Sequence, residues 1–76
     1  MPFIHVYAYS GRDDETKRKA AEAIVKAASE TMGAPEEAFT VAYEDINPDN
    51  WKKDIVDKVI KPLGSKLLIE QGKPVS

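Results

Sequence analysis

Phe3-Ile4-His5-Val6-Tyr7-Ala8-Tyr9, introduced by Met1-Pro2 and closed by Ser10-Gly11, decides how the rest of this chain is read. β-Branched and aromatic residues dominate it. Alternation puts Phe3, Tyr7 and Tyr9 on one face and Ile4, Val6 and Ala8 on the other. A strand that is apolar on both faces is one covered on both sides, as strands of parallel sheets are. The cover has to come from residues beyond Gly11 or from another chain.

Asp13 or Asp14 can cap the next element by accepting hydrogen bonds from its first N–H groups. Asp13, Asp14 and Glu15 also place negative charge at the positive end of a helix dipole. From Glu15 to Met32 the apolar residues Ala20, Ala23, Ile24, Ala27, Ala28 and Met32 recur at helical spacing, with Lys17, Arg18, Glu22 and Lys26 largely opposite. Gly33 is the C-cap and Ala34-Pro35 prevents continuation. A second strand is expected from about Ala38 to Glu44, with Phe39, Val41 and Tyr43 on one face and Thr40, Ala42 and Glu44 on the other. Strand, helix, strand reads as a right-handed βαβ unit with parallel strands, an α/β (α+β) fold. Asn47-Pro48-Asp49-Asn50 is a turn. Trp51, Ile55, Val56, Val59 and Ile60 then fall at helical spacing until Pro62 breaks or kinks the helix and Gly64 weakens its continuation. Lys66 to Glu70 reads as one more short helical piece, and Gly72 to Ser76 as a frayed tail.

At 76 residues the chain is one domain, residues 1–76, with little apolar surface to bury. It has no cysteine, so no disulfide helps, and the common remaining device is oligomerisation. One helix cannot cover both faces of a two-stranded sheet, so the strands are expected to pair with those of another chain in a larger sheet. The net charge of −2 argues against nucleic-acid or anionic-membrane partners. Without a signal-peptide pattern or an apolar run of about 20 residues, a soluble cytoplasmic protein is the default expectation. His5, the one histidine, reads as a packed or surface strand residue rather than a metal ligand. Lys17-Arg18-Lys19 reads as a solvated helix face. No glycine-rich phosphate loop, Ser/His/Asp order or paired metal ligands appear.

Pro2 is the residue with the most chemistry to offer. Removal of Met1 leaves a secondary amine at the chain start. It can act as a general base when its pKa lies near the working pH, or attack a carbonyl to form an iminium. While Met1 remains, that nitrogen is an amide and has no basicity.

Pro2 opening a strand, Gly11-Arg12 closing it, a long helix, Ala34-Pro35 and a second strand together resemble the 4-oxalocrotonate tautomerase family of the tautomerase superfamily. Ser10-Gly11-Arg12-Asp13-Asp14-Glu15 followed by Lys17 looks like that family's passage from first strand to first helix. The resemblance covers about residues 2 to 44, and more loosely the rest. Ile46-Asn47-Pro48-Asp49-Asn50-Trp51 with a helical C-terminus looks like a subgroup of small tautomerases that form dimers. The main family forms hexamers and ends in a short hairpin. With no obvious hairpin here, a homodimer is expected first and a hexamer second.

The resemblance implies the tautomerase (MIF-like) fold and a cofactor-free keto–enol isomerase of small 2-oxo or 2-hydroxy-enoate carboxylates. Pro2 is then the catalytic base. An α-amino group titrates near about 7.7–8.0, and an apolar pocket or a nearby cation lowers that value. Arg12 matches the family arginine that binds a substrate carboxylate, which a guanidinium can grip through two parallel hydrogen bonds. Trp51 aligns with a family aromatic that lines the pocket. The family's second arginine, on strand 2, falls at Thr40, which offers a hydroxyl but no charge. The resemblance then implies a monocarboxylate substrate with an apolar group rather than a dicarboxylate. A non-catalytic oligomer that binds a small carboxylate on the same fold is the alternative, and a ligand-free βαβ assembly is a third reading.

Overall fold

A computed structural model describes residues 1–75, and the chain forms two compact units, Met1–Ile46 and the segment from Asn47 onward. The first unit is the βαβ unit: β1 (Phe3–Tyr9), α1 (Asp14–Met32) and β2 (Thr40–Ile46), with the two strands parallel. The α/β reading is therefore borne out. Its register pairs Phe3 with Thr40, His5 with Ala42, Tyr7 with Glu44 and Tyr9 with Ile46 on one face. Ile4 with Val41, Val6 with Tyr43 and Ala8 with Asp45 make up the other.

Several local features differ from expectation. The helix begins one residue earlier, because Asp13 is the cap and accepts from the Thr16 N–H at 2.8 Å. Hydrogen bonding from the Thr16 side chain, and then from its backbone N–H, holds the Asp13 carboxyl below the ordinary aspartate range. Gly33 caps the other end at φ 71°, as expected, with its N–H on the Ser29 carbonyl. Strand 2 starts at Thr40 rather than Ala38, since Glu36–Ala38 turns as a short 3-10 helix after Pro35. The covered stripe of α1 runs through Lys17, Ala20, Ala21, Ile24, Val25, Ala28 and Ser29. Ala23 and Ala27 lie outside it, and Met32 is 62% exposed. Alanines carry too little surface to fix which side of a helix turns inward. The larger Ile24 and Val25, with Lys17, decide it.

Lys17 overturns its reading as a solvated residue. Its Nζ bonds Asp45 Oδ2 at 2.7 Å and lies 5.9 Å from the centre of the Tyr43 ring, with the side chain 21% exposed. Because α1 reaches Tyr43 and Asp45 in this way, it lies on the Val41–Tyr43–Asp45 face. The Phe3–His5–Tyr7–Tyr9 face is left open, with Phe3 64% and Tyr9 49% exposed. No described residue of this unit is fully buried.

The second unit opens with a 3-10 turn, Pro48–Asn50, capped by the Asn47 side chain on the Asp49 N–H at 2.9 Å. Trp51–Ile60 follows as a wide helix wound as a π-helix, closed by the Lys61 N–H on the Val56 carbonyl. Ile55, 4% exposed, is its buried residue. Pro62 does not end the helical path, which runs on through Lys61–Leu63 to Gly64 at φ 52°. A proline ring clashes with the carbonyl four residues back in an α-helix; five-residue hydrogen bonding moves that carbonyl. The expected helical piece at Lys66–Glu70 and the frayed tail are also corrected. Gly64–Lys66 is a 3-10 turn, and β3 (Ile69–Glu70) pairs antiparallel with β4 (Lys73–Pro74). Gln71 and Gly72, at φ 51° and 81°, form the two-residue turn that such a hairpin needs. Ser76 lies outside the described residues. The hairpin whose apparent absence favoured a dimer over a hexamer is thus present.

The Lys17–Asp45 pair gives a pH-dependent prediction. The bond to Asp45 raises the Lys17 pKa above its ordinary 10.5. Its stabilisation is therefore complete below that value and is lost as pH rises through the folded-state pKa. Denaturation of Asp45→Asn and the parent from about pH 8 to about pH 11.5, a span that brackets lysine titration, should converge at the alkaline end. A constant gap across the range would refute the assignment.

Candidate active site

Pro2 stands immediately before β1, and its carbonyl accepts the Thr40 N–H at 3.1 Å. That bond ties the chain start to the first residue of β2. Pro2 itself is half-buried, whereas Met1 is fully exposed. Thr40 lies directly across from Phe3, so their side chains share the open face at the Pro2 end of the sheet. Sequence reasoning named Pro2 and Thr40, and the fold brings them together.

Arg12 is placed elsewhere. β1 runs seven residues from the Pro2 end, about 20 Å at roughly 3.3 Å per residue. Gly11, at φ 127°, turns the chain out of the strand, and the Arg12 Nη1 donates back to the Tyr9 carbonyl at 3.3 Å. The guanidinium is thereby held at the far end of β1. The chain does not bring its own Arg12 to its own Pro2.

Trp51 is the first residue of the wide helix in the second unit. With Val56, Ile60, Leu67, Ile69, Glu70 and Gln71 it lines a cleft of about 420 Å³ within that unit. Asp57 on the same helix is held below the ordinary carboxylate range, first by Lys52 and then by Lys61.

The open face of the first unit carries a pair that sequence reasoning missed. His5 Nε2 lies 3.0 Å from Glu44 Oε1, and the His5 ring stacks on Tyr7 at 4.1 Å and meets Phe3 edge-on at 6.0 Å. The two partners are 39 residues apart in sequence, and only the parallel register brings them together. Among the described residues no group of three or more His, Cys, Asp or Glu could hold a metal ion. No described helix is long and apolar enough to cross a membrane.

The first unit is thus a parallel βαβ unit with one open sheet face and a proline tied at the start of its first strand. Comparison with known proteins places the chain in a family. The model of the tautomerase enzyme family matches residues 2–57. Tautomerase PptA of Pectobacterium carotovorum subsp. carotovorum is 32% identical over 63 residues, 82% of this chain and 83% of that protein. A 2-hydroxymuconate tautomerase of Bacillus subtilis is 39% identical over 51 residues, 67% of this chain and 82% of its own. A probable tautomerase of Bacillus cereus is 39% identical over 51 residues, 67% of this chain and 84% of its own. The chain belongs to the tautomerase family, and it is an isomerase of that type.

The Thr40 N–H is a single donor, so its role in holding the chain start can be tested alone. Proline is tolerated at the first residue of a strand, and the preceding Phe39 is already extended, at φ −94° and ψ 139°. Thr40→Pro should keep the fold by far-ultraviolet circular dichroism. The backbone order parameter of Phe3 should drop from a rigid value of about 0.85 toward the flexible range. An unchanged order parameter would show that the bond does not hold the terminus.

Proposed function

We propose that the protein is a cofactor-free keto–enol tautomerase of small 2-oxo or 2-hydroxy-enoate carboxylates, with Pro2 as its general base once Met1 has been removed. The observation that carries this reading is the bond from the Thr40 N–H to the Pro2 carbonyl at 3.1 Å, which anchors the residue where the family match begins. A base on a frayed terminus would have no fixed relation to a substrate carbon. A ring with a fixed φ, tied by its carbonyl, loses little entropy when substrate arrives.

The chemistry needs no external reagent. The Pro2 amine takes the proton of the 2-hydroxyl group. The oxygen lone pair forms the C2 carbonyl while the π-electrons move to C3, or to C5 in a dienoate. The prolinium returns the proton to that carbon, so the substrate is isomerised and the amine is regenerated.

The carboxylate anchor is Arg12, supplied by another protomer, because each chain holds its own Arg12 at the opposite end of β1 from Pro2. Two features support association: the open sheet face and the lack of a fully buried residue in the first unit. The terminal hairpin removes the reason for preferring a dimer to a hexamer. Thr40 beside Pro2 supplies no second cation, so a monocarboxylate with an apolar group suits the site better than a dicarboxylate. For Trp51 the family resemblance implies an aromatic contact to substrate; in this chain it lines the cleft within the second unit. A cytoplasmic location fits this reading.

Intact mass of the purified protein should lack Met1. On an enol-pyruvate substrate, kcat/KM should rise with pH as the proline amine loses its proton, in or below the usual α-amino range of about 7.7–8.0. Acetylation of Pro2 should abolish that limb and the activity, and Pro2→Ala should be strongly impaired. Equal activity of Pro2→Ala and the parent would eliminate the proposed base. A second experiment tests the shared site. Co-refolding Pro2→Ala with Arg12→Ala gives some sites with an intact proline from one chain and an intact arginine from another. Random mixing should restore about a quarter of the parent's activity, whereas activity no greater than the average of the two variants would refute a site built from Pro2 of one chain and Arg12 of another.

A further inference from the structure

The pair His5–Glu44 takes no part in the proposed chemistry. Its Nε2 to Oε1 distance is 3.0 Å, with the side chains 30% and 53% exposed. Register sets His5 across from Ala42 and Glu44 across from Tyr7, so the pair runs diagonally between the strands. The Tyr7 ring stacks on the imidazole at 4.1 Å, and the Phe3 ring meets it edge-on at 6.0 Å. Both rings hold the imidazole toward Glu44.

The other residues of this face are Phe3, Tyr7, Tyr9, Thr40, Ala42 and Ile46. Tyr7 is the other titratable group against His5, and a phenol ordinarily carries no charge across the histidine range. The helix α1 packs on the opposite face, where Lys17 is engaged by Asp45. Arg12 is held past the end of the strand, at the Tyr9 carbonyl. Among the described residues of the first unit, two groups therefore set the charge of the face. They are Glu44 and His5, and histidine changes charge between about pH 5 and 8.

On an open face water screens such a pair, and it contributes little. Covering the face changes the balance. With water excluded, an imidazolium and a carboxylate attract strongly and together carry no net charge. A neutral imidazole still donates a hydrogen bond, but it leaves the carboxylate charge buried and uncompensated, which is costly. Each added chain brings its own Glu44. Association therefore takes up protons from solvent. Its stabilisation is complete below the histidine range and is lost as pH rises through it.

We infer that His5–Glu44 is a pH-sensitive switch for self-association: a second copy of this chain covers the face while His5 is protonated and is released as His5 loses its proton. The occupant is a copy of this chain because Arg12 of one chain has to reach Pro2 of another. The inference rests on that shared-site reading and adds its regulation. A site built from two chains disperses as the pair loses its proton.

The test is the dissociation constant of self-association, read by sedimentation over a dilution series at about pH 5.5 and about pH 7.5, which span the middle of the histidine range. Urea is added at a fixed level where dilution leaves the assembly intact. The parent constant should rise about tenfold, the effect of one proton over about one pH unit. His5→Gln keeps a donor that does not titrate, and its constant should stay flat. Glu44→Gln should invert the trend, because the imidazolium is then the uncompensated charge and association tightens as pH rises. The parent slope with either variant suffices if the other fails to fold. A parent constant that does not change, a slope that survives in His5→Gln, or an uninverted slope in Glu44→Gln would overturn the switch and leave the shared site standing. A parent that is monomeric at both pH values would overturn the shared site, and the switch with it.

Discussion

Everything in the first unit depends on the parallel pairing of β1 with β2. Parallel strands cannot be joined by a tight turn, so the chain must cross over, and α1 is that crossover. A right-handed crossover puts the helix on one face only. The seven-pair register from Phe3↔Thr40 to Tyr9↔Ile46 then determines which residues meet the helix and which do not. A shift of one residue would exchange the two sets. It would take Lys17 away from Asp45 and His5 away from Glu44.

The same pairing imposes the geometry of the chemistry. Both strands run the same way, so the chain start and the strand 1 exit lie at opposite ends of the sheet. Pro2 is tied to Thr40 at one end and Arg12 is tied to Tyr9 at the other. A site that uses both has to be assembled from more than one chain. The weak core points the same way: a sheet with one open face and no fully buried residue in its unit gains apolar burial by association.

Much of this is legible from residue order. The apolar run from Phe3 to Tyr9, the acidic helix start, Gly33 at the helix end and Ala34-Pro35 are local signals, and the structure agrees with each. The disagreements fall where local signals are weak or misleading. An alanine-rich helix offers several inner faces, and residue order alone puts Lys17 toward solvent. Gln71-Gly72 lacks the usual Asn-Gly or Asp-Gly signature of a two-residue turn, so the hairpin from Ile69 to Pro74 leaves little trace in the sequence. Pro62 carries its α-helical meaning in the sequence, although the wider winding before it changes that meaning.

By itself the sequence determined the βαβ order, the helix caps and the identity of Pro2, Arg12, Thr40 and Trp51 as candidates. These rest on backbone conformations and side-chain chemistry that act over a few residues. Only the tertiary structure decided that Thr40 holds Pro2, that His5 meets Glu44, that one sheet face stays open and that Arg12 lies a strand's length from its own Pro2. Such facts depend on register and strand direction, which join residues 39 positions apart, as in His5 and Glu44, and leave no short-range mark in the chain.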